Sequence, residues 1–115
     1  MPILQLLQIA AAIATIVTGL VSLLRPRSVT SFTGLHPTGP RGITEIRSIL
    51  GGLFIALGLA PLLLNAPLAY QMLGIAYLGI AIVRAVSMFV LDNSVVQSNS
   101  ISLLIEIAFG VILVL

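Results

Sequence analysis

Residues 43–64 read ITEIRSILGGLFIALGLAPLLL, residues 65–67 read NAP, and residues 68–91 read LAYQMLGIAYLGIAIVRAVSMFVL. Each apolar run exceeds the ~20 residues that an α-helix needs to cross a hydrocarbon layer of ~30 Å. Only Asn65, Ala66 and Pro67 separate them. So short an uncharged link makes a tight turn between antiparallel neighbours, with Pro67 suited to the first position of the next helix. The pattern predicts a helical hairpin in lipid. Barrel strands would be runs of ~10 residues with strict alternation, and no such alternation is present.

Two further runs extend this reading over all 115 residues as one transmembrane domain. The first spans residues 3–24 and ends at Arg25-Pro26-Arg27, because Pro26 pushes Arg25 out of the helical region. The last spans residues 98–115, starting within the polar stretch Gln97–Ser100. With helices over 43–64 and 68–91, the expected fold class is all-α, an integral membrane four-helix bundle. Residues 25–42 form the longest polar connection. Ser28 to Gly34 suit a short interfacial turn of helix, and GLHPTGPRG after it is irregular. The N-terminus has no Lys or Arg of a signal-peptide n-region, so the first run is read as a retained helix.

Composition agrees with this. Apolar residues make up 59% of the chain and charged residues 7%, against roughly 25% charged in soluble domains. The mean hydropathy is +1.25. Five Arg face three acids, with no Lys. No basic patch or stripe suggests nucleic acid. The absence of Cys removes disulfides, thiolate metal sites and thiol catalysis.

Arg25, Arg27 and Arg41 lie in the first connection, and the Asn65–Pro67 turn carries no charge. The positive-inside rule then puts the first and third connections in the cytoplasm and both chain ends outside it.

Each run carries one polar or small-residue line. In the first run Gln5, Gln8, Ala12, Thr15, Gly19 and Ser22 recur at steps of three and four, which puts them on one seam. Small residues let helix backbones approach closely, and Gln or Thr can bond across the contact. The second run has Arg47, Gly51, Phe54 and Gly58. The third has Tyr70, Tyr77 and Arg84, with Ala81 and Met88 beside them. The fourth has Asn99, Ser102, Glu106 and Gly110. Gln8, Thr15, Gly19, Gly51, Gly52, Gly58 and Gly79 are the expected helix-packing positions.

Arg47, Arg84 and Glu106 fall inside apolar runs, with Glu45 close to the start of the second. A lone charge at mid-membrane costs roughly 2.5–3.5 kcal/mol on insertion scales. By helical rise, the three lie in the cytoplasmic half at depths of roughly 5–12 Å. They are expected to form a buried polar network with Glu45 at its rim. Such a network could fix helix register or bind a ligand; alternatively, each Arg could snorkel to the headgroups by itself. His36 has no second His or Cys to share a metal, and Tyr70 and Tyr77 read as packing residues. No catalytic set, nucleotide loop or zinc spacing occurs, so neither an enzyme nor a resident cofactor is expected.

The run Glu45-Ile46-Arg47-Ser48-Ile49-Leu50-Gly51-Gly52-Leu53, the run Gly79-Ile80-Ala81-Ile82-Val83-Arg84, Glu106, and Phe32-Thr33-Gly34-Leu35 resemble the domain-of-unknown-function family 4345. These are small four-helix bacterial membrane proteins. Ser48 stands where that family usually has Ala, and Leu50 where an aromatic is common. The resemblance implies the fold, a bacterial inner membrane, and attention to Arg47, Gly51, Gly52, Arg84 and Glu106. It implies no activity. Three functions compete on these grounds. The first is an accessory or structural subunit, or scaffold, of a membrane complex or homo-oligomer. The second is a binder or carrier of a lipid, quinone or pigment at the Arg/Glu site. The third is a small proton-coupled transporter.

Overall fold

The computed structural model describes residues 2–115, and the fold is all-α. Helix α1 spans Ile3–Leu24. A 3-10 turn at Pro26–Val29 leads into the single-turn helix α2, Thr30–Thr33. Helices α3 (Pro40–Leu64), α4 (Pro67–Leu91) and α5 (Gln97–Val114) follow. α1, α3, α4 and α5 are long and apolar enough to cross a membrane, and the chain is a multi-pass helical membrane protein.

The ends of the helices follow from local chemistry. Pro40 and Pro67 open α3 and α4, where a missing N–H costs nothing. Asn65 closes α3 in the left-handed region at φ 49°, which Asn tolerates. Gly34 closes α2 the same way at φ 76°. α3 starts at Pro40 rather than near Ile43, and α5 at Gln97, so the polar residues Gln97 to Ser100 form its first turn.

The helices pair as α1 with α3 and α4 with α5, and the two pairs meet in a slab of 44 × 31 × 17 Å. Glycines bring each pair together. A methyl group added at Gly19 would lie 2.7 Å from the Gly51 carbonyl, and one at Gly58 would lie 2.6 Å from the Ala12 carbonyl. In the other pair, a methyl at Gly74 would meet Leu113 and Val114 at 2.8 Å. The buried centre is Ala11, Ala12, Leu73, Tyr77 and Leu113.

Two of the expected packing glycines lie elsewhere. Gly79 has nothing within 4 Å of where a Cβ would stand, and Gly52 meets only its own helix's Arg47 carbonyl at 3.9 Å. Both face outward.

Over Ile46–Leu53, α3 widens into π geometry, and so does the end of α4 over Ser87–Leu91. Within the first of these, the buried positions are Ile46 and Gly51, five residues apart, which is the interval of a π hydrogen bond. Each π residue turns through fewer degrees than an α residue. Over the four residues from Gly51 to Arg47, the face slips by about a fifth of a turn. Ile46 therefore takes the buried place beside Gly51 that Arg47 would hold in an α-helix, and Arg47 is exposed.

Candidate functional site

The most polar constellation inside the bundle joins α4 to α5. Side chains on a helix lean toward its N-terminus. Arg84 therefore leans away from the loop end of α4, toward the level of Glu106. Its Nε donates to Glu106 Oε1 at 2.7 Å and its Nη2 to Oε2 at 2.7 Å. This two-pronged contact is the strongest geometry available to Arg and a carboxylate. Nη1 donates to Asn99 Oδ1 at 2.8 Å. That fixes the Asn99 amide, whose Nδ2 then donates to the Ser94 carbonyl at 3.0 Å and to Ser94 Oγ at 3.2 Å. The side chain of Arg84 is 29% exposed and that of Glu106 is 11% exposed.

Because α5 starts at Gln97, Glu106 lies about 14 Å along the helix, near its middle. That is deeper than the sequence spacing suggested.

The structure does not bring the other two expected members to this pair. Glu45 instead bonds Arg41, one turn back on α3, with Nη2 to Oε1 at 3.1 Å. That contact is exposed, and (i, i+4) pairs of this kind contribute little. Arg47 is exposed and makes no ion pair among the described residues. The expected four-membered network is thus one partly buried pair, supported by Asn99 and Ser94. Asn99 was visible in the sequence as part of the α5 stripe. Ser94 lies in a loop, where no periodicity could mark it.

The seam of α1 is buried at Ala12, Thr15, Gly19 and Ser22. Thr15 donates to the Ala11 carbonyl at 2.8 Å and so has no second proton to give. Tyr77 therefore donates its hydroxyl proton to Thr15 Oγ1, joining α1 to α4. Tyr77 also meets Phe109 edge to face, with ring centroids 5.5 Å apart. Gln8 Nε2 donates to the Ile112 carbonyl at 3.0 Å and ties α1 to the end of α5. Gln5, in the first turn of α1, is exposed.

Two openings flank these contacts. One, of about 430 Å³, lies between the start of α1 and the α3–α4 turn, lined by Gln5, Gln8, Asn65, Tyr70 and Gln71 among others; no charged side chain lines it. The other, of about 580 Å³, runs along α4 and reaches Arg84, Asp92, Ser94 and Asn99. Among the described residues, no group of three or more His, Cys, Asp or Glu could hold a metal ion.

Neither the family models, nor the curated proteins, nor the solved structures compared with this chain include a match.

Proposed function

We propose that this chain is a non-enzymatic accessory or structural subunit of a bacterial membrane assembly, made with other proteins or with its own copies. The observation that carries this reading is how the chain divides its chemistry between inside and outside. Its strongest polar group, Arg84–Glu106, is spent on holding α4 to α5. The outer faces of its spans are mostly apolar, with Ile75, Ile82 and Leu104 each about two-thirds exposed. A slab only 17 Å thick leaves each helix little cover from its own chain. Proton-coupled exchange needs a carboxylate free to trade its partner. Both oxygens of Glu106 already accept from Arg84, which counts against that function.

A photoreactive residue placed in turn at outward positions of α4 and α5 tests the proposal. Adducts are expected from one contiguous stripe, such as Ile75, Ile82 and Val86, and not from its neighbours. Adducts of lipid alone from every position, with a monomer in native mass spectrometry, would overturn it.

The assignment to a bacterial cell membrane rests on the likeness of Glu45–Leu53 and Gly79–Arg84 to family 4345. Orientation rests on charge. Arg25, Arg27, Arg41 and Arg47 gather at one end, and no charged side chain lies in the Asn65–Pro67 turn. Asn65→Cys in intact cells should react with an impermeant maleimide, and Ser28→Cys should react only after permeabilisation. The reverse pattern would invert the topology.

A further inference from the structure

The groove of about 580 Å³ along α4 has two chemically distinct parts. Gly79, Ile80 and Val83 line the part deeper in the span. Arg84, Asp92 and Ser94 line the part near the loop. Gly79 lies about 18 Å along α4 from its last residue, Leu91, so the groove runs from the headgroup level toward mid-span. The apolar part, from Arg84 to Gly79, is about 8 Å long, enough for the first several carbons of an acyl chain, and the missing side chain at Gly79 leaves room for them.

The polar end has unspent hydrogen-bonding capacity of both signs. A guanidinium carries five N–H donors. Arg84 uses three, two on Glu106 and one on Asn99. Asp92 follows the last residue of α4, is exposed, and has no ion pair or side-chain hydrogen bond among the described residues. The charge of Arg84 is already balanced by Glu106, so the Asp92 carboxylate leaves this wall with a net negative charge. A simple anion would be repelled there. A head carrying both charges would not.

We propose that this groove holds a zwitterionic phospholipid with a primary ammonium group. Its phosphate takes the free N–H groups of Arg84, and its ammonium donates to the Asp92 carboxylate. One acyl chain lies along Val83, Ile80 and Gly79. A trimethylammonium head has no N–H to give Asp92, and a glycerol head has no cation, so each loses one of the two contacts. One charge-assisted hydrogen bond is enough for roughly tenfold discrimination.

The test is native mass spectrometry of the full chain released from nanodiscs of equal parts phosphatidylethanolamine, phosphatidylcholine and phosphatidylglycerol. Retained phosphatidylethanolamine is expected to exceed each of the others by roughly tenfold. Asp92→Asn should abolish the preference over phosphatidylcholine while leaving the thermal melt unchanged, because Asp92 supports no contact within the fold. Gly79→Phe, which fills the deep part from an outward position, should remove retention of all three. Retention in proportion to the bilayer's composition, a preference for phosphatidylglycerol, or an unchanged preference in Asp92→Asn would each overturn the assignment.

Discussion

Arg84→Leu is expected to destabilise the bundle by about 3 kcal/mol, the low end of what breaking a buried ion pair costs. The cost comes from the partner left behind. Glu106 sits near the middle of α5 with its side chain 11% exposed, and no other cation lies beside it among the described residues. Glu106→Gln should cost less. Arg84 is 29% exposed and can turn into the groove, and the new amide still accepts a hydrogen bond from it. The double variant Arg84→Leu/Glu106→Gln should be more stable than Arg84→Leu alone, because it leaves no charge stranded. Thermal or SDS-induced unfolding of the three variants in one detergent reads these differences. Losses that simply add would mean that the two side chains do not support one another, and the link between α4 and α5 would have to be explained by packing alone.

The pair could be anticipated because its members are rare residues in apolar runs, and lipid penalises each of them unless they meet. Their depth is nearly legible too. A last run starting at residue 98, within the polar stretch Gln97–Ser100, puts Glu106 about 12 Å along its helix, and the observed start at Gln97 makes that about 14 Å. Asn99 in the first turn of α5 is also what steadies the third arm of the guanidinium. The seam of α1 was readable for a different reason. Thr15, Gly19 and Ser22 stand out from Ile, Leu and Val, and α1 is regular from end to end, so spacing in sequence is spacing on a face.

Arg47 and Glu45 show where that reasoning stops. A face counted at 3.6 residues per turn includes Arg47, but the backbone there is π, and nothing in IRSILGGL announces that change of period. Depth alone sends Glu45 to a distant cation, but Arg41 stands four residues before it, the spacing at which helical neighbours meet. Local geometry took the nearer partner. Glycine presents another limit. It marks close approach in one place and bare surface in another, and its own chemistry does not tell Gly58 from Gly79. Its neighbours do somewhat better. Gly74 falls between Tyr70 and Tyr77, in step with Ala81, so the line that marked the tyrosines also runs through the glycine against which α5 packs.

That contrast between glycines yields the second large effect. Gly58→Ala is expected to destabilise the bundle by about 2 kcal/mol, whereas Gly79→Ala should leave it unchanged or more stable by up to about 1 kcal/mol. The Cβ at residue 58 would stand 2.6 Å from the Ala12 carbonyl oxygen and 3.0 Å from the Ile16 nitrogen. Both are backbone atoms of α1, so no rotamer change relieves the clash, and α1 and α3 must move apart. Separation there also loosens the contact of Gly19 with Gly51, because the same two helices form both. At residue 79 the new methyl meets nothing within 4 Å, and the gain of Ala over Gly in a helix is what remains. The two substitutions are chemically identical, so comparing their unfolding transitions in the same detergent cancels any general effect of adding a methyl group. Equal shifts would contradict the close approach of α1 and α3 and leave that pair of helices without the contact that its glycines provide.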